Sequence, residues 1–303
     1  MSSDNDRDVL LVRQAPRSAA DVAAWLRASF ALEPGLFIAG VSGLAIALLC
    51  LIAVAARGTF IPPEGKMLDA ATFSFGVGLF ILTIALLLPL AGFSPAARRR
   101  WRRLSYSFWV FGFVLEPVQA FRGIDPRFTE AGSATDAALG VTFGATAGLI
   151  VVLFVIFVGR FFRNDVLKEH PALRLGIRYG VVAVAISFGI GILMSVIGGR
   201  TTGDDGNLLF AHALGVHGIQ AVPVIALLFA WAGSAPRKTA WLHSAGIAWL
   251  VAVTAALAQA LVGRPPLEMS LLSALIAAGV VVWAGAGVYA FLSWRRPIPR
   301  SIT

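Results

Sequence analysis

Eight long apolar stretches, broken by short polar loops, run along this chain: Gly35–Arg57, Ala70–Phe93, Ser105–Phe121, Asp136–Phe162, Leu175–Ile197, Leu208–Ala232, Ala240–Val262 and Leu267–Trp294. Crossing roughly 30 Å of hydrocarbon takes about 20 apolar residues in a helix, so each stretch predicts one span. None shows the two-residue alternation of a membrane barrel strand. The predicted fold is all-α, a polytopic membrane bundle of eight transmembrane helices. The chain divides into a cytoplasmic segment (1–34), a four-helix repeat (35–162), a linker (163–174), a second four-helix repeat (175–294) and a cytoplasmic tail (295–303). Met1–Glu33 is polar and lacks the apolar core of a cleavable signal, so the first span is expected to direct insertion.

Composition agrees with this pattern. Apolar residues make up 58% and charged residues 14%, where a soluble domain carries about a quarter charged. The net charge of +9 would suit nucleic acid, but its placement argues for a bilayer and against nucleic acid. Arg98, Arg99, Arg100, Arg102 and Arg103 crowd the second loop. Arg160, Arg163, Lys168 and Arg174 mark the fourth, Arg237 and Lys238 the sixth, and Arg295, Arg296 and Arg300 the tail. The even loops are rich in positive charge and the odd ones poor, which puts both termini in the cytoplasm. The run Arg98–Arg103 reads as a topology and lipid-headgroup anchor. Ser18–Leu32 predicts a short interfacial amphipathic helix, with Arg17 and Arg27 available to phosphates. The single cysteine, Cys50, lies within the first span and reads as a packing residue.

Shifted by 140 residues, the chain aligns with itself: Trp101 on Trp241, Trp109 on Trp249, Gln119 on Gln259, Gly123 on Gly263, Pro126 on Pro266, Ser94 on Ser234 and Gly40 on Gly180. A direct four-plus-four repeat about an axis along the membrane normal follows from that register. Small residues such as Gly140, Gly144 and Gly148, or Gly285, Ala286 and Gly287, offer close helix contact.

Ionisable residues inside a span are costly and point to function. Glu116, Gln119 and Arg122 close the third span, with Glu116 roughly 8 Å below the outer surface. His212, His217 and Gln220 lie in the sixth, His217 roughly 14 Å deep. Gln259 sits in the seventh at the matched outer level, and Glu268 opens the eighth. A carboxylate in low dielectric and an imidazole could handle protons together, with Glu116 titrating and His217 as its partner. Equally, these groups could satisfy one another or cap backbone broken around Pro117 and Pro223. The repeat frame carries them asymmetrically: Glu116 falls on Ala256, and His212 and His217 on Thr72 and Val77.

The metal candidates are His212, His217 and Glu116, although histidines five apart lie about 140° around a helix. Haem would need a second axial histidine, and His243 lies near the opposite membrane face. No cofactor is demanded; a metal or a haem is what these histidines would hold. The third loop offers Arg122, Asp125 and Arg127 as a salt-bridged turn or an anion grip. Asp204-Asp205-Gly206-Asn207 reads as a turn and helix cap, and His170 as a solvated loop residue. Trp101, Trp241 and Trp294 read as interfacial anchors.

The segments Glu116–Phe128 and Ala211–Pro223 resemble stretches of uncharacterised bacterial multi-pass membrane proteins of about eight spans. That resemblance implies a bacterial inner-membrane setting and no known activity. The eight-span duplicated plan is similar in outline to haem A synthases. This chain lacks their histidines in spans two, four and eight and their external cysteine pair, so that activity is not carried over.

Three readings remain. One is a transporter or sensor of a small solute, proton or cation, with an outward-facing cavity lined by Glu116, Gln119, His212, His217, Gln220 and Gln259. The second is a membrane enzyme on a lipid or quinone, possible only with His217 as acid, base or ligand and without a nucleophile motif. The third is a structural or accessory subunit. The first, which is not an enzyme, ranks highest.

Overall fold

The computed structural model describes residues 15–233 and 237–296. Ser234 and the tail beyond Arg296, Arg300 included, lie outside the described residues, as do residues 1–14. The architecture is all-α, with two two-stranded hairpins. The helices are α1 (Ala19–Leu32), α2 (Pro34–Arg57), α3 (Met67–Leu87), α4 (Pro95–Phe121), α5 (Ala134–Gly159), α6 (Pro171–Ile197), α7 (Leu208–Val216), α8 (Gly218–Ala232), α9 (Lys238–Leu261) and α10 (Leu271–Arg295). The strands are β1 (Phe60–Ile61), β2 (Gly65–Lys66), β3 (Thr201–Thr202) and β4 (Gly206–Asn207).

Seven helical segments among the described residues are long and apolar enough to cross a membrane. They are α2, α3, α5 with its 3-10 extension to Phe162, α6, α7 and α8 together, α9 and α10. The expected third span lies in α4 and is not among them. Arginines fill the first third of this helix, and Glu116 and Gln119 dilute its end. The eighth helix begins at Leu271, so Glu268 lies in the turn before it rather than inside a span.

The chain forms two compact units, Ser29–Arg160 and Phe161–Thr303 joined by Met1–Ala28. In the Ser29–Arg160 unit, α2 buries Leu36, Gly40, Gly43, Ala47 and Cys50, a stripe at helical spacing. Its other face exposes Ile38, Leu48, Leu49 and Ile52. That arrangement inverts a soluble helix and suits lipid. Gly40 and Gly43 let α2 approach α3 at Gly78, where a Cβ on Gly40 would lie 2.9 Å from the Gly78 carbonyl oxygen. In the other unit α6 meets α8 similarly, and a Cβ on Gly180 would lie 2.8 Å from the Gly218 oxygen. Gly144, Gly148 and Gly285 have nothing within 4 Å, so they do not form the helix contact expected of them.

Each unit carries the same loop device. β1–β2 and β3–β4 are antiparallel hairpins 141 positions apart, each running directly into a helix. Glu64 N–H donates to the Gly123 carbonyl at 2.9 Å, and Asp205 N–H to that of Gly263 at 3.1 Å. Gly123 and Gly263 have φ of 79° and 75°, the left-handed region that glycine alone enters cheaply. Both turns thus tie a hairpin to the end of a long helix, α4 in one unit and α9 in the other.

At the opposite, arginine-rich end, Glu33 is fully buried between Arg98 and Arg102, with the Arg102 contact at 2.8 Å. This pair fixes the rotation of α4 and leaves Arg99, Arg100 and Arg103 exposed. Trp101 is not an interfacial anchor. It is 3% exposed and donates its indole N–H to Leu153 O at 2.7 Å. Trp241 is 37% exposed and stacks on Tyr289. Arg17 is engaged with the carbonyls of Trp294 and Arg296, so it is not held out for phosphate. α1 does present Val22, Leu26 and Phe30 as exposed apolar side chains, as an interfacial helix would.

Candidate functional site

The residues expected to line one cavity are divided between the units. Glu116, Gln119, Arg122, Asp125 and Arg127 belong to the Ser29–Arg160 unit, and His212, His217, Gln220 and Gln259 to the other.

At the hairpin end of the first of these, α4 places Glu116 and Gln119 on one buried face. Arg127 folds back from the loop to ion-pair with Glu116, its guanidinium lying 5.3 Å from the Phe73 ring and 5.2 Å from that of Phe143. Arg122 donates to Gln119 and, at 2.7 Å, to Asp136, which also accepts from Gln119 at 2.9 Å. Asp136 closes a capping box with Ser133 at the start of α5. Asp125 accepts from the backbone N–H of Arg127 and Phe128. The loop's arginines pair with Asp136 and Glu116 on the flanking helices.

Two members of this network were not expected. Glu64, in the first hairpin, accepts from Thr129 Oγ1 at 2.6 Å and from the N–H groups of Glu130, Ala131 and Asp125. Asp136 opens the fourth apolar stretch. Its signal was readable, since Ser133 three residues ahead is a capping spacing. Glu64 had no such signal, because its partners lie more than sixty positions away.

The Thr129 hydroxyl, and then the surrounding backbone N–H groups against the opposing effect of burial, hold the Glu64 carboxyl below its ordinary 4.5. A depressed folded value contributes stability in full above the ordinary value and loses it as pH falls toward the lowered one. Glu64→Gln is therefore expected to flatten the acid limb of the apparent Tm measured from about pH 6 to pH 3. Parallel curves for the two proteins would reject this role.

In the Phe161–Thr303 unit, Gln259 is 1% exposed and acts as a staple. Its amide donates to Pro265 O at 2.7 Å and its carbonyl accepts from Ser270 at 2.7 Å. His212 directs Nδ1 to Ser187 O at 2.8 Å, while Ser187 Oγ donates to His212 O at 2.7 Å. His243 meets Tyr179 Oη at 2.8 Å. Asn207 caps α7 by accepting from Phe210 N–H, the cap reading of that acidic turn. His170 stands at the N-cap of α6 and is half-buried, so it is less solvated than expected.

His217 occupies the most distinctive position. It alone separates α7 from α8, at the tenth residue of the 25-residue segment Leu208–Ala232. Its Nδ1 faces Gln220 Oε1 at 3.3 Å. Across from it, a Cβ built on Gly218 would lie 3.1 Å from Trp249 Nε1. No proline marks this break, since Pro223 stands six residues further on and inside α8.

Among the described residues no group of three or more His, Cys, Asp or Glu is placed to hold a metal ion. No protein-family model, curated protein or solved structure matches this chain. Its helices establish a multi-pass membrane protein in a lipid bilayer.

Proposed function

We propose that this chain is a bacterial inner-membrane carrier that couples the movement of a small solute to a proton, with His217 as the binding group. Eight spans, α4 being the third, form a four-plus-four direct repeat with both termini in the cytoplasm. The matched hairpins, the turns at Gly123 and Gly263 and the crossings at Gly78 and Gly218 support the repeat.

One observation carries the reading. The segment Leu208–Ala232 is interrupted at His217, while its counterpart α3 runs unbroken from Met67 to Leu87. Interrupted helices near the bilayer midplane are where carriers build their sites, because irregular backbone there is tolerated only beside a cavity or within protein. Here the irregularity coincides with an ionisable side chain and occurs in one half only. On the helices packed against α8, Arg174, Arg178 and Tyr179 on α6, Lys238 and His243 on α9, and Tyr289 and Arg295 on α10 all lie in the thirds toward the arginine-rich end, and α1, with Asp21 and Arg27, meets α8 at Trp231 near its last residue. His212, on α7, is tied to Ser187. His217 is left as the proton carrier at mid-depth.

The test uses the full chain in vesicles loaded with a pH-sensitive dye. Carboxylates, amines, amino acids, sugars and divalent metal salts are added in turn. One class is expected to drive proton movement, and His217→Ala to abolish it at equal protein level. Silence toward every class from folded wild-type protein, or undiminished flux in the variant, would overturn the reading.

A further inference from the structure

Trp249, Trp283 and His217 share one depth. Trp249 is the twelfth residue of the 24 in α9, and Trp283 the thirteenth of the 25 in α10. The two rings lie 5.0 Å apart. Trp283 donates its N–H to Ala221 O at 2.9 Å. Trp249 Nε1–H is buried and has no hydrogen-bond partner, and the ring packs closely against Gly218, beside the break. Trp231 and Trp294 also have unpartnered indole nitrogens, but they stand at helix ends, where headgroups and water are within reach. Mid-membrane, an orphaned donor is costly, and a ligand lodged at the break would meet it.

A second observation concerns charge. The five helices α6 to α10 contain no aspartate or glutamate. A proton taken up by His217, whose Nδ1 already faces Gln220, resides on Nε2 and makes a cation with no aspartate or glutamate on α6 to α10 to balance it. An uncompensated charge at that depth is strongly disfavoured. The balancing anion has to arrive with the solute. A cationic solute would meet an N–H donor and a second positive charge, and a metal ion would find one imidazole.

We infer that the solute is a small organic carboxylate, held at the α7–α8 break between the Trp249 N–H and a protonated His217, so that acid and proton are bound together as a neutral pair. The inference rests on the carrier reading for its transport meaning, but the binding chemistry can be tested alone.

Acetate and benzoate are titrated calorimetrically into the purified full-length protein, beside acetamide, benzamide and benzylamine. Ultraviolet resonance Raman spectra follow the indole N–H. A carboxylate is expected to bind at least about ten-fold tighter than its amide or amine and to convert one indole N–H from free to hydrogen-bonded. Trp249→Phe keeps a ring and removes the donor. It is expected to weaken binding about ten-fold and to lose that spectral change, in keeping with the loss of one hydrogen bond to a charged group. His217→Ala is expected to weaken carboxylate binding as well. Should Trp249→Phe fail to fold, the wild-type spectrum and the His217→Ala titration decide. Benzylamine binding as tightly as benzoate, no binding of either carboxylate, or an unmoved N–H band would overturn the inference. Proton flux driven only by amines, sugars or metals would remove the carboxylate and leave the carrier. Carboxylate binding with these signatures, but without any flux, would remove the carrier and leave the site.

Discussion

Arg127→Ala is expected to destabilise the protein by about 3–5 kcal/mol, the cost of stranding a buried charge. Glu116 is fully buried in α4, and Arg127, with its side chain 18% exposed, reaches it from the loop. Removing the guanidinium takes its ion pair from the buried Glu116 and empties the space beside the Phe73 and Phe143 rings. Glu116→Gln should cost less. It discharges the buried partner, and Arg127 keeps both aromatic faces and part of its access to water. The double variant Glu116→Gln, Arg127→Met should recover much of the Arg127→Ala loss, since well-packed apolar groups replace buried ion pairs at little net cost. Apparent Tm and resistance to a denaturing detergent measure all three. An Arg127→Ala loss no larger than that of Glu116→Gln would show that the pair is hydrated and that it does not hold the loop to α4. The same series separates this end from transport: because Glu116 is a structural partner of the loop, its variants should lower stability before they alter proton coupling.

That division between structural and chemical polar groups is where sequence and structure part company. Seven of the eight span positions were readable because about 20 apolar residues admit few alternatives in a bilayer; the third, in α4, is too rich in arginine to be among them. The Gly123/Gly263 pair was readable because both glycines turn the chain locally, just after backbone carbonyls of Gln119 and Gln259 that accept from the N–H five residues on, at 2.9 Å and 3.1 Å. What sequence could not supply was partnership. Trp101 looks like an interfacial anchor from its place at a span end, yet its burial depends on Leu153 and Phe157 of another helix. Glu116 looks like a proton site until Arg127 is folded onto it. The break at His217 has no Pro at its centre. It coincides with Gly215 and Gly218, whose lack of side chains lets α6 press in at Ser187 and Ala183. Only three-dimensional packing makes that pair of glycines a discontinuity.

Gly65→Ala and Gly206→Ala are expected to be damaging to similar degrees, each by about 1–3 kcal/mol and toward the upper end, because the obstruction is backbone. In the first hairpin a new Cβ would fall on the Ala120 carbonyl oxygen; in the second it would fall on that of Ala260. Neither oxygen can swing aside. Ala120 and Ala260 also accept from the N–H of Gly123 and Gly263, so movement would loosen the turns that end α4 and α9. Gly144→Ala is the control. It lies within α5 with nothing within 4 Å of its Cβ position, and alanine there should gain about 0.5–1 kcal/mol of helix stability. Apparent Tm of the three variants reads the outcome. Equal losses at Gly65 and Gly206, with a neutral or positive shift at Gly144, are what two copies of one hairpin-and-turn device require. A tolerant Gly206 beside an intolerant Gly65 would mean that the second hairpin does not bear on α9 as the first bears on α4. The repeat would then be a likeness of sequence without a shared mechanical role.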